Sequence, residues 1–213
     1  FTQGLEVADN GTIYVGTGQE GESRLYTRTP EGEKLRSIDL DPEFFGEGIT
    51  LHDGTVWQLT WLHGTAIKRD AATLEETGRA NYAGEGWGLC SRADEDELIF
   101  SDGTAALRRM DPETFEERER FTVTMDGQPV EGLNELECVG DEVYALIANG
   151  EAIAKGDKLM SAGTGYLKEY VPADSGSDLI QDHCIVAMAL EALDMSDSST
   201  ADPTSQRCLV VII

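Results

Sequence analysis

The stretch Gly84-Glu85-Gly86-Trp87-Gly88 decides how this chain is read, because Phe45-Gly46-Glu47-Gly48-Ile49 carries the same pattern and Leu133-Asn134-Glu135-Leu136 a weaker version of it. The shared ingredients are a carboxylate, glycines that admit a close backbone approach, and an apolar residue suited to a strand. Aligned on their apolar residues, Leu5, Ile49, Leu89 and Leu136 recur at spacings of 44, 40 and 47 residues. That is the period of four-stranded propeller blades.

The segments between these positions repeat one plan. In the first, Leu5 to Val7, Thr12 to Val15, Arg24 to Thr27 and Leu35 to Leu40 read as strands separated by Asp9-Asn10-Gly11, Gly16 to Gly21 and Pro30-Glu31-Gly32. The second offers Gly48 to Leu51, Val56 to Trp61, Ala66 to Arg69 and Gly78 to Tyr82; the third offers Gly88 to Ser91, Glu97 to Ser101, Ala106 to Met110 and Glu117 to Val123. Helical periodicity is nearly absent. The expected fold is all-β: propeller-like blades of four antiparallel strands over residues 1–147, an incomplete five-bladed propeller, followed by a small β-barrel-like segment over 148–213.

Composition narrows the function classes. The chain has 213 residues, 40% of them hydrophobic, which is enough to bury a core, and a net charge of −25. The acidic excess runs through both parts and reads as a halophilic surface, which repels phosphate backbones and argues against nucleic-acid binding. No apolar run is long enough to cross a bilayer, so no membrane partner is expected. Cys90, Cys138, Cys184 and Cys208 form no CxxC pair and read as buried thiols, and no metal site is expected. The chain begins at Phe1 with no charged leader, which reads as a processed product or a fragment.

In a propeller the first strand of each blade lines the central channel, which brings Glu47, Trp61, Glu85, Trp87, Asn134 and Glu135 toward one funnel. Singly, each has an ordinary structural explanation. Trp57 and Trp61, for example, alternate with Gln58 and Thr60 as core residues do. Together they describe a site.

Several ordered motifs carry a resemblance: Phe1-Thr2-Gln3-Gly4-Leu5-Glu6, Gly16-Thr17-Gly18 with Ser23, Phe45 to Thr50, Gln58-Leu59-Thr60-Trp61, Gly84 to Leu89, Ser101-Asp102-Gly103, Asp111-Pro112 and Asn134-Glu135-Leu136-Glu137. Over residues 1–147 the chain resembles the plant and bacterial type of glutaminyl-peptide cyclotransferase. The resemblance implies a five-bladed propeller that converts N-terminal glutamine to pyroglutamate with release of ammonia, without zinc or any other cofactor. It implies a peptide with N-terminal glutamine as partner, Glu47 as the group that moves the proton, and Asn134 as a donor to the amide oxygen. Trp61 and Trp87 correspond to its aromatic walls, and Glu85 and Glu135 are further substrate-binding candidates. An extracellular or cell-surface location goes with this reading. The pattern stops after Glu142-Val143-Tyr144-Ala145: no tryptophan follows Trp87, and the family's late glycine-lysine-x-tryptophan motif has no counterpart.

Residues 148–213 carry a second resemblance, on Gly150-Glu151-Ala152-Ile153 with Lys155-Gly156-Asp157, the glycine-rich turn Ala162 to Gly165, Cys184 to Leu190 and Cys208 to Ile213. This order is similar to the C-terminal part of capsid cement, or head decoration, proteins of tailed viruses. It implies a structural alternative in which the chain belongs to a virion as a homotrimer or part of a capsid lattice. Asp194 to Ser205 reads as a solvated loop and His183 as a packed or surface residue.

Overall fold

The computed structural model describes residues 1–125 and 127–147, together with the backbone of three short strands farther on, Leu159–Ser161, Leu167–Glu169 and Leu209–Ile212. The first blade runs β1 (Thr2–Val7), β2 (Ile13–Thr17), β3 (Arg24–Arg28) and β4 (Lys34–Asp39), each pairing antiparallel with the next. The second repeats it with β5 (Gly46–His52), β6 (Thr55–Thr60), β7 (Thr65–Asp70) and β8 (Glu76–Asn81). The third has β9 (Leu89–Arg92), β10 (Glu97–Ser101), β11 (Ala106–Met110) and β12 (Glu117–Thr122). A short hairpin, β13 (Thr124–Met125) and β14 (Gln128–Pro129), leads to a fourth sheet of β15 (Leu133–Val139) and β16 (Glu142–Ile147). Beyond it β17 (Leu159–Ser161) pairs with β18 (Leu167–Glu169), and β19 (Leu209–Ile212) adds antiparallel to β16.

The four first strands, β1, β5, β9 and β15, lie side by side in sequence order, which is the inner ring of a propeller. Turn chemistry explains why the strands stop where they do. Asp53 and Gly54 close β5 onto β6 with positive φ, 43° and 76°. Blades two and three close their third hairpins with a matching Asp-x-x-Thr turn. Asp70 Oδ1 accepts from the backbone of Ala72 and Thr73, and Asp111 Oδ1 from that of Glu113 and Thr114. Each turn is followed by a buried apolar residue in left-handed conformation, Leu74 at φ 64° and Phe115 at φ 61°.

The core lies between blades. Tyr14, Leu25, Ile49, Val56 and Leu74 fill the space between the first and second. Trp57, Leu59, Leu89, Leu98, Phe100, Met110 and Phe115 fill the next, where the Trp57 indole also donates to Pro112 O at 2.8 Å. Cys90, Ile99, Leu107, Leu133, Leu136, Val143 and Ile147 fill the third. Each fully buried large side chain contributes roughly 1.5–3 kcal/mol. The outer strands β4, β8 and β12 are mostly exposed and each carries charged side chains, which gives each blade a polar outer edge.

Two expectations change. Cys90 on β9 and Cys138 on β15 are not thiols but a disulfide, with Cα atoms 5.5 Å apart. Cys90 stands one residue after the anchor Leu89 and Cys138 two after Leu136, and adjacent inner strands bring them within bonding reach. Trp61 is not a core residue: it stands one position past β6 and is 38% exposed, whereas Trp57 is 2% exposed. Gln58 and Thr60 are buried as well, because a second strand is covered on both faces and alternation there no longer separates inside from outside. The barrel-like segment expected over 148–213, with Asp194 to Ser205, His183, Cys184 and Cys208, lies outside the described residues apart from β17, β18 and β19.

Candidate active site

Two positions before each apolar anchor the repeat places Gln3, Glu47, Trp87 and Asn134. Between this residue and the anchor stands Gly4, Gly48 or Gly88 in the first three blades, and sterics explain why. A Cβ on Gly4 would come within 2.6 Å of Ile49 N, and one on Gly48 within 2.6 Å of Trp87 O; one on Gly88 would strike Asn134 O. Only glycine lets each inner strand approach the next so closely. The blade repeat thereby sets the four residues at equivalent positions of neighboring inner strands.

Glu47 is the carboxyl of this group and is 6% exposed. Burial pushes its carboxyl up to about 8; the hydrogen bond from Gln3 Nε2 to Oε1, 3.1 Å, works the other way, and the nearby charge of Glu85 adds to the rise. Glu85 itself organizes the aromatic walls. Its Oε2 accepts from the indole N–H of Trp61 at 2.7 Å and from that of Trp87 at 2.9 Å. Phe45 meets the Trp61 ring edge-on at 5.7 Å. One carboxylate therefore sets the orientation of both indoles.

Asn134 is placed through its backbone. Ser101 Oγ donates to Asn134 O at 2.7 Å and accepts from Gly88 N at 2.8 Å, which fixes Asn134 beside the Trp87 segment. Glu135 takes the slot that glycine fills in the other blades. Its Oε1 accepts from Leu5 N at 3.2 Å, bridging the fourth blade to the first, and its buried Oε2 has no partner among the described residues. Burial raises its pKa well above the carboxylate range. Among the described residues no three of His, Cys, Asp and Glu converge as metal ligands do.

The sequence pattern of glutamine cyclotransferases matches residues 1–174. The chain belongs to the glutamine cyclotransferase family. A glutaminyl-peptide cyclotransferase of Arabidopsis thaliana is 36% identical over 159 residues, which are 73% of this chain and 48% of the plant protein. The crystal structure of Myxococcus xanthus glutaminyl cyclase superposes with a TM-score of 0.63 at 30% identity, over 70% of this chain and 62% of that one. The WD40 domain of Neurospora crassa Pan2 matches with a TM-score of 0.53 at 12% identity, over 78% of this chain and 47% of that one, a likeness of propeller fold alone. The chain spans about half the length of the curated relative it matches.

In this cyclotransferase-family chain the six residues expected at the site fall into three arrangements. Glu85, Trp61 and Trp87 form one bonded unit, Glu47 lies close enough to feel its charge, and Asn134 and Glu135 lie on β15, with Glu135 in turn within reach of the Glu47 charge. Gln3, which donates to Glu47 Oε1, stands beside these residues without being one of the six. Its signal was present: Phe1-Thr2-Gln3-Gly4-Leu5 parallels Phe45-Gly46-Glu47-Gly48-Ile49, so Gln3 occupies in the first blade the position of Glu47 in the second. Tyr82 is a further support. Its hydroxyl donates to Thr60 O and accepts from Thr60 N at 3.1 Å, joining the segment before Glu85 to the end of β6.

Proposed function

We propose that this chain carries glutaminyl-peptide cyclotransferase chemistry, closing an N-terminal glutamine to pyroglutamate with release of ammonia. One observation carries the reading: a buried carboxyl, Glu47, bonded by Gln3, raised to about 8 and near Glu85, whose Oε2 holds two indoles. In the reaction the α-amine nitrogen bonds to the γ-carboxamide carbon and the bond from that carbon to the amide nitrogen breaks. One proton leaves the attacking amine and one joins the departing nitrogen. A single carboxyl whose pKa lies near that of an α-amine, about 7.7–8.0, suits both transfers. Trp61 and Trp87 hold the short substrate compactly and exclude water. Asn134 supplies a donor for the amide oxygen as charge develops there. Glu85, already oriented by two indole N–H groups, offers its charge to the substrate ammonium.

Ammonia release from a peptide beginning with glutamine tests this. The expected outcome is release by the wild-type chain, reduced by at least about 100-fold in Glu47→Gln, the scale of one general acid–base group. Equal release by wild type and variant overturns it. The Cys90–Cys138 disulfide favors a location outside the reducing cytoplasm, in keeping with an extracellular enzyme. The capsid-decoration alternative rests on residues 148–213, and no observation favors it.

A further inference from the structure

Behind the Trp87 wall lies a buried ion pair that the reaction above does not use. The side chains of Arg108 on β11 and Asp102 just after β10 are 4% and 7% exposed. Arg108 Nη1 donates to Ala83 O at 2.8 Å, Nη2 donates to Asp102 Oδ2, and the guanidinium stacks over the Phe100 ring at 4.7 Å. Burial alone would raise the Asp102 carboxyl, yet hydrogen bonds from Thr104 and Arg108 hold it below the usual range, so it stays charged. The residues on either side of Asp102 touch the site. Ser101 holds Gly88 N and Asn134 O. Gly103, at φ 77°, lies under the Trp87 ring so closely that a Cβ would come within 2.7 Å of it.

A buried ion pair is weak evidence of stabilization, because desolvation offsets the attraction between the charges. What this pair does hold is the beginning of the segment Ala83 to Trp87. That segment contains Gly84, at φ 86°, and Gly86, so its backbone has little conformational preference of its own. It also carries both Glu85 and Trp87. We infer that Asp102 and Arg108 are positioning residues: their ion pair fixes Ala83 to Trp87 so that the Glu85 carboxylate meets both indole N–H groups at once. For its effect on the reaction this rests on the cyclotransferase reading; for its effect on geometry it does not.

The three tryptophans provide the test in one spectrum. In ¹⁵N-labeled protein the indole N–H signals of Trp61 and Trp87 report the Glu85 contact, while that of Trp57, bonded to Pro112 O in the core, reports the fold. Asp102→Asn keeps the side-chain shape and removes the charge; Arg108→Ala removes the clamp. In both, the Trp61 and Trp87 signals are expected to move while the Trp57 signal stays. Millimolar guanidinium, entering by the groove that Tyr82, Arg108, Met110 and Phe115 line, is expected to return them in Arg108→Ala, whereas ethylammonium is not. In ammonia release, kcat/KM is expected to fall about 100-fold in both variants, the scale of a misplaced catalytic frame, and to recover with guanidinium in Arg108→Ala. Unmoved Trp61 and Trp87 signals overturn the inference. So does loss of all three signals in both variants, which would make the pair a support of the fold instead of the segment. A wild-type chain that releases no ammonia would overturn the cyclotransferase reading and leave the spectral result to decide this one.

Discussion

Glu47 and Glu85 are coupled, and the coupling has a sign. A carboxyl raised from near 4.5 to about 8 in the folded chain keeps a proton that the unfolded chain has released. Its contribution to stability is therefore present below the unfolded value and is lost as pH rises through the folded one. Urea unfolding of wild type and Glu47→Gln across pH 5 to 9 should show a wild-type midpoint that falls with pH and a variant midpoint that falls less. Some slope remains in the variant, since burial also raises Glu6 and Glu135. A steeper slope in Glu47→Gln would contradict this assignment. The same coupling predicts the pH–rate profile. If Glu47 accepts the proton, kcat/KM rises with the fraction of its anion, and Glu85→Gln, which removes a neighboring negative charge, shifts that rising limb to lower pH. An unmoved limb would mean that Glu85 does not govern Glu47.

The repeated step of the inner strands makes glycine indispensable at some positions and incidental at others. Gly48 N donates to Trp87 O at 2.8 Å, and a Cβ there would press on that same oxygen. Gly48→Ala must therefore push the second and third blades apart, at about 1–3 kcal/mol, the usual range for overpacking. Gly78 on β8 has open space around it, so Gly78→Ala is expected to be neutral or stabilizing by about 0.5–1 kcal/mol. Chemical denaturation of the pair checks both, and equal losses would refute the steric account. This step was legible in the sequence, since the anchors Leu5, Ile49, Leu89 and Leu136 and the turn residues placed all twelve strands of the first three blades. The less legible features depend on contacts between blades. The exposure of Trp61 follows from its place beyond β6, and Arg108, which pairs with Asp102 in its own blade, also donates to Ala83 O in the connection from the blade before. The Cys90–Cys138 bridge spans 48 residues and becomes evident only once β9 and β15 are neighbors.

For the whole molecule, the charge distribution sets the conditions under which the blades hold together. A net charge of −25 on 213 residues favors expansion, because like charges repel most strongly in the compact state. Local pairs offset little of this. Arg79 with Glu76 and Arg120 with Glu117 sit on exposed outer strands, where such pairs are worth about 0–1 kcal/mol. The disulfide opposes expansion by closing a loop of 48 residues, worth about 4 kcal/mol in the chain-entropy account. With the bridge intact, sodium chloride should raise the urea midpoint steeply, because the screening length shortens from about 10 Å at 0.1 M to about 3 Å at 1 M. Salts also strengthen apolar burial, so a salt effect alone does not isolate repulsion. Replacing the exposed Glu20, Glu31 and Glu75 with lysine separates the two causes, since it lowers the net charge to −19 without changing the solvent. If repulsion governs, the triple variant has a higher midpoint than wild type at 0.1 M salt and a smaller gain on going to 1 M. If exclusion of salt from the surface governs, both proteins gain equally and the variant shows no advantage at low salt.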